Sequence, residues 1–489
     1  MLPELQKLLY GLIGRRSDHA ADRARASCEE GNGFVGRGDL SSAEARYRRA
    51  IAADPDFADA RVSLGFVLVR QGHLDEARHH LDRVLSLAPG NADAHYLLGV
   101  IASEQGPSDE SVEHFREAAR IRPSFAEAHN ALGIQYRLQR RIGDALSCFD
   151  RALAARPDFS EAQCEKGRAL LLLGDYDRGL PLLERRFDAA SEEQVRGWLE
   201  TLAARPEKAR WNGEDLRGKT LLLWMEQGAG DCLMTMRYLP KLRDRGAGRL
   251  TVLSDPSLAR LVRTFPVVDA VVTRVEALAW DSFDVHCPSM SLPFAFRTRL
   301  DTIPNAVPYL FLPHEVRGNW SGRLSRLSGL RVGFAWAGSP GYVRDSIRSM
   351  TLRDFTPLLR VAGTNFVSLQ KGAATGQLAA SDGSIADWMD DCRDYLDTAA
   401  LIAGLDLVIS VDTSVAHLAG ALGKPVWLLN RFASEWRWLL GRDDSPWYPS
   451  MRIFNQTRPG DWAGAIDSMK AELEQLVARG RTGSAFSTP

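Results

Sequence analysis

The first part of the chain repeats one arrangement of small, large and helix-ending residues every 34 positions. Glycine keeps this spacing from Gly31 to Gly167, and proline keeps it from Pro55 to Pro157. Large apolar residues hold a constant phase between them, at Tyr47, Leu81, Phe115 and Phe149. Glycine lets two helices approach closely, while proline ends a helix. The period therefore predicts helix–turn–helix pairs that bury their apolar faces by stacking into a superhelix.

A different hydrophobic pattern begins at Lys219, where short apolar runs alternate with helical segments. A proline-rich crossing at Pro304, Pro308 and Pro313 separates two such series. The predicted strands are 220–224, 250–253, 270–273, about 284–286, 330–336, 366–369, 407–411 and 425–429. The predicted helices are 233–245, 257–264, 352–359, 396–402 and 414–422. This alternation predicts two Rossmann-like lobes with parallel sheets, and a ligand cleft beyond the carboxyl ends of the strands.

These patterns predict an all-α solenoid followed by a pair of α/β lobes. All twelve tryptophans lie after residue 190, which marks a change of domain. The predicted domains are an N-terminal helix or cap (1–23), the superhelix (24–185), a connector (186–217), a first lobe (218–312), a second lobe (313–460), a C-terminal helix (461–479) and a tail (480–489).

Composition excludes several classes of protein. With 61 basic and 62 acidic residues the net charge is −1, which argues against a nucleic-acid binder. The six cysteines are scattered without a C-x-x-C pair, so a reducing cytoplasm is expected rather than disulfides or a zinc site. No signal peptide is expected, and no apolar stretch reaches the ~18 residues of a membrane span.

A glycine-rich turn follows the first strand of the first lobe, at Gly228-Ala-Gly-Asp231. Gly228 and Gly230 permit a tight turn and the close approach of a ligand. A carboxylate in such a strand-to-helix loop can act as a general base at the cleft. The alternative is that Asp231 only caps the helix that follows.

The run from Ser410 to Pro425 has the order strand, loop, helix, turn and strand. The free N–H groups at the start of the helix, with the hydroxyls of Thr413 and Ser414, form a site for a diphosphate. His417 lies one turn into the helix, on the side of the loop or the sheet. The alternatives are that Asp412 is a helix cap and that His417 is packed in the core.

Three further loops of the second lobe carry polar or aromatic residues. Arg348 can neutralise phosphate oxygens, or it can be a solvated arginine. Lys371 can likewise supply a positive charge to a phosphate, or it can lie on the surface. Gln370 could read the edge of a base. The aromatics of Glu435-Trp-Arg-Trp438 could stack on a base or a sugar, although most would be core. The loop residues that accompany Arg348 are Gly338, Ser339 and Ser349.

The 34-residue period resembles the tetratricopeptide repeat family, whose members bind peptides or protein segments in a concave groove. By that resemblance five helix A residues face a ligand, although they could equally be ordinary surface or stacking residues: Phe66, Arg70, Tyr96, Asn130 and Arg137. The family's aromatic position early in helix A is replaced by Ser27, Arg61, His95, His129 and Gln163. The asparagine ladder of repeat-containing O-linked N-acetylglucosamine transferases is also absent.

Residues 211–460 resemble bacterial glycosyltransferases of the heptosyltransferase-like family 9, through Gly-x-Gly-Asp231 and Asp412-Thr-x-x-x-His417-Leu-Ala. The resemblance implies a GT-B fold that binds the acceptor in the first lobe and a nucleotide-sugar in the second. It implies an inverting reaction without a metal ion. It also makes Asp231 the base, assigns Asp412, Thr413 and Ser414 to the donor loop, and places Arg348 near the phosphates. Ala229 replaces the family's usual leucine.

The layout of repeats before transferase lobes also resembles bacterial flagellin glycosyltransferases. A helical groove suits an extended or helical chain better than a small sugar, so a protein acceptor is expected. A serine or threonine of flagellin is the leading specific acceptor. The alternatives are a transferase for lipopolysaccharide or another glycan, and a repeat scaffold whose α/β part is inactive.

Overall fold

The computed structural model describes residues 19–104, 106–188, 208–341, 345–381 and 383–481. The chain divides into two compact units, Met1–Lys166 and Gly167–Pro489, here called the repeat unit and the α/β unit. Most of the predicted N-terminal cap, of the predicted connector and of the predicted tail lies outside the described residues. The all-α region followed by parallel α/β sheets is confirmed.

The repeat unit consists of consecutive helices joined by short turns. Each predicted helix–turn–helix pair is present in the described residues. The helices are α1 (His19–Gly36), α2 (Leu40–Ala53), α3 (Ala58–Gln71), α4 (Leu74–Leu87), α5 (Ala92–Ser103), α6 (Asp109–Ile121), α7 (Ala126–Leu138) and α8 (Ile142–Ala155). A ninth helix, α9 (Ser160–Leu172), crosses the boundary between the units.

The periodic glycines set the distance between the two helices of a pair. A Cβ atom added at Gly99 would lie 2.7 Å from Phe115 Cδ1, and one at Gly133 would lie 2.6 Å from Phe149 Cε1. The first four periodic glycines, from Gly31 to Gly133, therefore face the large apolar side chain 16 positions later, which is fully buried. Because interiors are close-packed, a larger residue at the glycine would separate the helices.

Polar side chains occupy the helix A position where the family has an aromatic residue. Each donates a hydrogen bond to the carbonyl of the proline six residues earlier, which ties helix A to the turn before it. The donors and acceptors are Arg61 Nε to Pro55 O (2.8 Å), His95 Nε2 to Pro89 O (3.1 Å), His129 Nε2 to Pro123 O (3.0 Å) and Gln163 Nε2 to Pro157 O (2.8 Å).

The α/β unit begins with the end of α9, helix α10 (Tyr176–Leu183) and a 3-10 turn at Glu184–Phe187. The first lobe follows, with a parallel five-stranded sheet in the order β1-β5-β2-β3-β4. Its strands are β1 (Ala209–Arg210), β2 (Thr220–Trp224), β3 (Arg249–Leu253), β4 (Ala270–Val272) and β5 (Val285–Pro288). Its helices are α11 (Ala229–Thr235), α12 (Leu239–Asp244), α13 (Pro256–Val262) and α14 (Leu292–Ala295).

The second lobe has a parallel six-stranded sheet in the order β11-β10-β9-β6-β7-β8. Its strands are β6 (Leu330–Ala335), β7 (Thr364–Ser368), β8 (Ile385–Asp387), β9 (Leu407–Val411), β10 (Val426–Asn430) and β11 (Met451–Asn455). Its helices are α15 (His314–Arg317), α16 (Ser321–Leu324), α17 (Thr356–Leu359), α18 (Tyr395–Ala403), α19 (Ser414–Ala421) and α20 (Ala463–Arg481). Phe334, Phe355 and Phe366 pack together in its core.

The predicted strands are all present, with ends shifted by at most two residues, but two predicted helices differ. The helix predicted at 233–245 starts at Ala229 and is interrupted by a 3-10 turn at Met236–Tyr238, just before Pro240, which lacks an N–H donor. The helix predicted at 352–359 is a 3-10 turn followed by the short α17. The strands β1, β8 and β11 were not predicted, because each is short or carries polar residues.

The last repeat extends beyond the repeat unit. The superhelix is predicted to reach residue 185, whereas the two compact units divide after Lys166. Contacts of Tyr176 and Arg186 with the two lobes explain this position of the boundary.

Among the described residues, no helix combines the length and the apolar character needed to cross a bilayer.

Candidate functional site

The two lobes meet where helix α11 lies against helix α19. A Cβ atom added at Gly230 would lie 2.8 Å from His417 Cδ2 and 3.5 Å from Ser414 Cα. The second glycine of the predicted turn therefore permits the close approach of helix α19, whereas the sequence predicted the close approach of a ligand. The helix cap of α11 is Gly228 rather than Asp231, so the prediction that Asp231 only caps a helix is wrong.

Asp231 lies in the first turn of α11 and forms an ion pair with Arg437 of the second lobe. Its side chain keeps 19% of its exposure, so it is partly open to solvent. Burial raises the pKa of Asp231, Arg437 lowers it, and the charges of Asp412 and Glu435 raise it further. A carboxylate with a raised pKa is a stronger proton acceptor near neutral pH than an ordinary aspartate.

The start of helix α19 is organised by hydroxyl groups. Thr413 is the helix cap, and its Oγ1 accepts a hydrogen bond from Val415 N at 3.3 Å. Ser414 Oγ accepts a hydrogen bond from the Tyr395 hydroxyl at 2.8 Å. The prediction of Asp412 as the helix cap is therefore wrong, since the cap is the next residue. Asp412 is buried directly before the cap.

The loop after β6 brings Arg348 beside this helix start. The Arg348 guanidinium donates to the backbone carbonyl of Asp412 at 3.1 Å and pairs with Asp345 at 2.9 Å. Ser349 Oγ donates to the same Asp345 carboxylate and accepts from Gly338 N at 2.9 Å. A Cβ atom at Gly338 would collide with the guanidinium. Arg348 is thus held in place, and the prediction of a solvated arginine is wrong. Ser339, which was predicted to accompany it, is exposed to solvent.

Gln370 and Lys371 lie at the end of β7, and the structure gives them different environments. Gln370 is 3% exposed, its Oε1 accepts from Trp336 N and Ala337 N, and its Nε2 donates to two backbone carbonyls. Its amide is fully used by the backbone, so the prediction that it reads a base edge is wrong. Lys371 is exposed and donates to the backbone carbonyl of Cys392.

His417 is packed at the contact between the lobes. Its Nδ1 is 2.9 Å from the Tyr448 hydroxyl, and its ring stacks on Trp438 with centroids 5.1 Å apart. Burial lowers the pKa of His417 well below its ordinary value, and the charges of Arg437 and Arg237 act in the same direction. The imidazole is therefore neutral, and the prediction of a packed histidine agrees with its burial.

Arg437 is the residue of this site that the sequence did not single out. It lies between Trp436 and Trp438, in a motif that drew attention only for its aromatic rings. Its guanidinium lies 4.8 Å from the centroid of the Trp436 ring. An arginine between two tryptophans after a buried strand was the available signal, since arginine binds aromatic faces and carboxylates alike.

Four of the five predicted groove residues do not face a ligand. Phe66, Tyr96, Asn130 and Arg137 are buried. Tyr96 packs between Phe115 and Phe125, and Arg137 pairs with Glu165 at 2.8 Å. Only Arg70 among the five is exposed. The four predictions are wrong because the helix A face that carries these side chains packs inside the repeat unit.

The charged side chains of the site bear on the question of a metal ion. Within the described ranges, no group of three or more His, Cys, Asp or Glu side chains is placed to hold one. Arg348 brings a positive charge to Asp412, directly before the cap of α19, and Arg437 brings one to Asp231.

Family models match both parts of the chain. Tetratricopeptide repeat models match residues 34–101, 68–133 and 130–193. A glycosyltransferase family 9 (heptosyltransferase) model matches residues 395–458. The latter range contains the start of α19, His417 and Arg437, whereas Asp231 lies outside it.

A curated relative and several solved structures are similar to parts of the chain. Protein FlbA of Caulobacter vibrioides is 29% identical over 339 residues, which cover 65% of this chain and 55% of that protein. The chain thus spans about half the length of the curated relative it matches. The pilF protein of Pseudomonas aeruginosa is 18% identical, with 39% of this chain and 90% of that one covered at a TM-score of 0.33. A tetratricopeptide repeat protein of Thermus thermophilus is 18% identical, with 37% and 99% covered at a TM-score of 0.31.

The family models place the tetratricopeptide repeats before the glycosyltransferase region. The chain therefore carries tetratricopeptide repeats in its first part and, in its last part, a region similar to the family 9 glycosyltransferases, the heptosyltransferase family.

Proposed function

We propose that the protein is a glycosyltransferase that moves a sugar from a nucleotide-sugar to an acceptor hydroxyl, with Asp231 as the general base. The observation that carries this proposal is the position of Asp231. Its carboxylate is partly exposed and has a raised pKa, and it lies where α11 of one lobe meets α19 of the other. The family 9 match over residues 395–458, in the second lobe, supports the same reaction class.

In the proposed reaction, Asp231 removes the proton from the acceptor hydroxyl. The oxygen forms a bond to the anomeric carbon on the face opposite the leaving group, and the bond from that carbon to the phosphate oxygen breaks, which inverts the centre. The backbone N–H groups at the start of α19 and the Arg348 guanidinium stabilise the negative charge that develops on the phosphate. These donors take the place that a metal ion holds in other transferases, so the reaction needs none.

We also propose that the acceptor is a protein bound through the repeats. Tetratricopeptide repeats favour protein partners, and α1 to α8 present a continuous array of helices for an extended or helical segment. A serine or threonine of flagellin is the specific candidate. A lipid-linked or soluble glycan as the better acceptor would show that the repeats serve only to dock the enzyme.

Donor binding is tested first, by thermal unfolding with UDP, GDP, ADP, CMP and CDP. A nucleotide at about 100 times its dissociation constant adds about 2.7 kcal/mol to the free energy of unfolding. One nucleotide should raise Tm, and Arg348→Gln should lose that rise while Arg353→Gln, an exposed arginine nearby, keeps it. Absence of a shift with every nucleotide would favour the scaffold interpretation.

The role of Asp231 is tested by Asp231→Asn, with Asp215→Asn as the matched control. Asp215 is an exposed carboxylate of the same lobe that pairs with Arg217. Loss of a general base lowers the rate by about 10²–10⁴, so transfer to flagellin or to a glycan acceptor should fall by that factor. Full activity in Asp231→Asn contradicts the assignment, and activity that survives EDTA supports a reaction without a metal ion.

A further inference from the structure

The docking segment, which we define as Tyr176–Phe187, ends the repeats and lies within the α/β unit. Arg186 in this segment is 8% exposed and forms a two-bonded ion pair with Glu226 of the first lobe, at 3.2 and 2.6 Å. The guanidinium also donates to Ser291 Oγ at 2.8 Å and to Glu184 Oε1 at 2.8 Å. A buried arginine with this many partners holds the Glu226 carboxylate in one position.

Glu226 lies in the loop between β2 and the helix that carries Asp231. Its Oε1 also accepts a hydrogen bond from Met290 N at 3.2 Å, and its carbonyl accepts one from Cys232 Sγ at 3.5 Å. The next residue, Gln227, has a φ of 62°, in the left-handed region that side chains other than glycine rarely adopt. Such a conformation persists only where neighbouring contacts fix it, and the Arg186–Glu226 pair supplies one.

Tyr176 of the docking segment reaches the loop that carries Arg437. Its hydroxyl accepts a hydrogen bond from Trp447 Nε1 at 3.1 Å, and its ring meets Trp436 edge to face with centroids 6.0 Å apart. Trp436 in turn lies under the Arg437 guanidinium. Leu439, two residues beyond Arg437, also has a left-handed φ of 57°. The loop that carries Arg437 therefore contains a strained residue, Leu439, and is supported by Tyr176 of the docking segment.

We infer that Arg186 and Tyr176 are positioning residues for sugar transfer, because one docking segment contacts both the loop that precedes Asp231 and the loop that carries Arg437, and these two side chains form the ion pair of the site. The inference rests on the proposed function. Aromatic packing and a buried ion pair are rigid contacts, and a displacement of about 1 Å at a reacting group can cost about 10²-fold in rate. The end of the repeats is therefore part of the transferase site.

The charge on Asp231 gives a direct measure of this positioning. The charges that act on its carboxylate are those of Arg437, Asp412 and Glu435. The neutral His417 packs against Gly230, the residue before Asp231. Arg437 is the one that lowers the pKa of Asp231. If the docking segment is loosened, Arg437 stands less close to the carboxylate, and the pKa of Asp231 rises further above its ordinary value.

Two variants loosen the docking segment without leaving a buried charge. Tyr176→Phe removes only the hydrogen bond to Trp447, and its control is Tyr47→Phe, which removes a similar hydrogen bond from a buried tyrosine to Asn32 in the repeat unit. The double variant Arg186→Met/Glu226→Leu replaces the ion pair by apolar side chains, which buried sites tolerate. Its control is Arg185→Met, since Arg185 is exposed to solvent and pairs with Asp188 at 3.0 Å on the surface.

The readout is ¹⁹F NMR of the full chain, labelled with fluorotryptophan and free of ligand. The Trp436 signal, assigned by Trp436→Phe, should titrate with Asp231 and stop doing so in Asp231→Asn. We expect both docking-segment variants to raise its midpoint by about 0.5 pH unit or more, and both controls to leave it unchanged. Midpoints equal to those of the controls, or a Trp436 signal that does not titrate in the parent, overturn the inference.

Kinetics then connect the contact with catalysis. Both docking-segment variants should lower kcat about tenfold or more and leave the KM of the donor within about twofold, because the contacts act on the base rather than on donor binding. Unchanged kcat overturns the positioning role. A parent protein that shows the NMR shifts but transfers no sugar contradicts the proposed function and leaves the contact of the docking segment with the two loops supported.

Discussion

The contacts within the repeat unit and the contacts within the site of the α/β unit join residues that lie at very different separations along the chain. In the repeat unit, Gly99 meets Phe115 only 16 positions later, and the same contact recurs in the neighbouring repeats. At the site, Asp231 meets Arg437, which is 206 positions away. A short, repeated contact is visible as a period in the sequence, whereas a single distant contact leaves no such mark.

This difference also predicts how the two regions respond to substitution. A change in the repeat unit alters one of several equivalent contacts and should appear mainly in stability. A change at the site alters a pair that has no duplicate, so it should appear mainly in activity and in its dependence on pH. The following predictions test this contrast, beginning with the largest expected effect.

The largest effect is expected for Gly230→Ala, which places a methyl group against His417 and separates α11 from α19. Activity should fall about 10²-fold, because the displacement acts on the reacting geometry, while Tm should change much less. Steady-state kinetics and thermal unfolding measure the two effects. Gly228→Ala is the control, since a Cβ atom there would touch only the end of Asp231 at 3.6 Å. Equal losses in both variants would contradict the role of the close approach.

Gly133→Ala should act in the opposite manner, on stability rather than activity. The added methyl group meets Phe149, and overpacking of this kind costs about 1–3 kcal/mol in the free energy of unfolding. The control is Gly143→Ala at an exposed position of α8, where a Cβ atom has no neighbour within 4 Å and a gain of up to about 1 kcal/mol is expected. Urea unfolding measures both, and similar midpoints for the two variants would remove the packing argument.

The pH dependence of transfer should shift in opposite directions for two neighbours of Asp231. Arg437 lowers and Glu435 raises the pKa of the carboxyl. The base acts only when it is ionised, so Arg437→Gln should move the acid limb of kcat/KM to higher pH and Glu435→Gln should move it to lower pH, each by about one unit. Shifts of the same sign would show that another group governs the limb.

The smallest effect concerns the histidines that bond to proline carbonyls. Burial lowers the pKa of His129 below 6.5 in the folded protein. As the pH falls, the unfolded chain therefore takes up a proton on His129 at a higher pH than the folded protein does. Its contribution to stability is present above pH 6.5 and is lost as the pH falls below that value. His129→Gln keeps the hydrogen bond, as Gln163 does, and should be less sensitive to acid by up to about 1 kcal/mol. Equal pH dependence of unfolding in parent and variant would contradict this.

Much of the backbone could be predicted, because its signals are local. The 34-residue period predicted the helix pairs, and apolar runs predicted the strands of both sheets. The position of Thr413 between a strand and a helix followed from the same pattern, whereas Asp231, predicted in such a loop, lies in the first turn of α11. Short strands such as β1 and β8 were missed, since two or three residues carry too little pattern.

Side-chain contacts were harder to predict than positions. Tyr96 was expected to face a ligand but packs between two phenylalanine rings, and Gln370 was expected to read a base but holds backbone groups. The partner of a side chain depends on which distant segment packs against it. The same reason explains why Arg437 and the Arg186–Glu226 pair were not recognised, since each joins segments far apart in the chain.

The contact between each repeat glycine and its large partner has a consequence for the length of the array. Both members of a contact, such as Gly99 and Phe115, belong to one 34-residue repeat, between Pro89 and Pro123. A whole repeat can therefore be copied or deleted in the gene without changing what any remaining glycine touches. The length of the array can be altered in steps of 34 codons, while the Asp231–Arg437 pair and the docking segment keep their contacts.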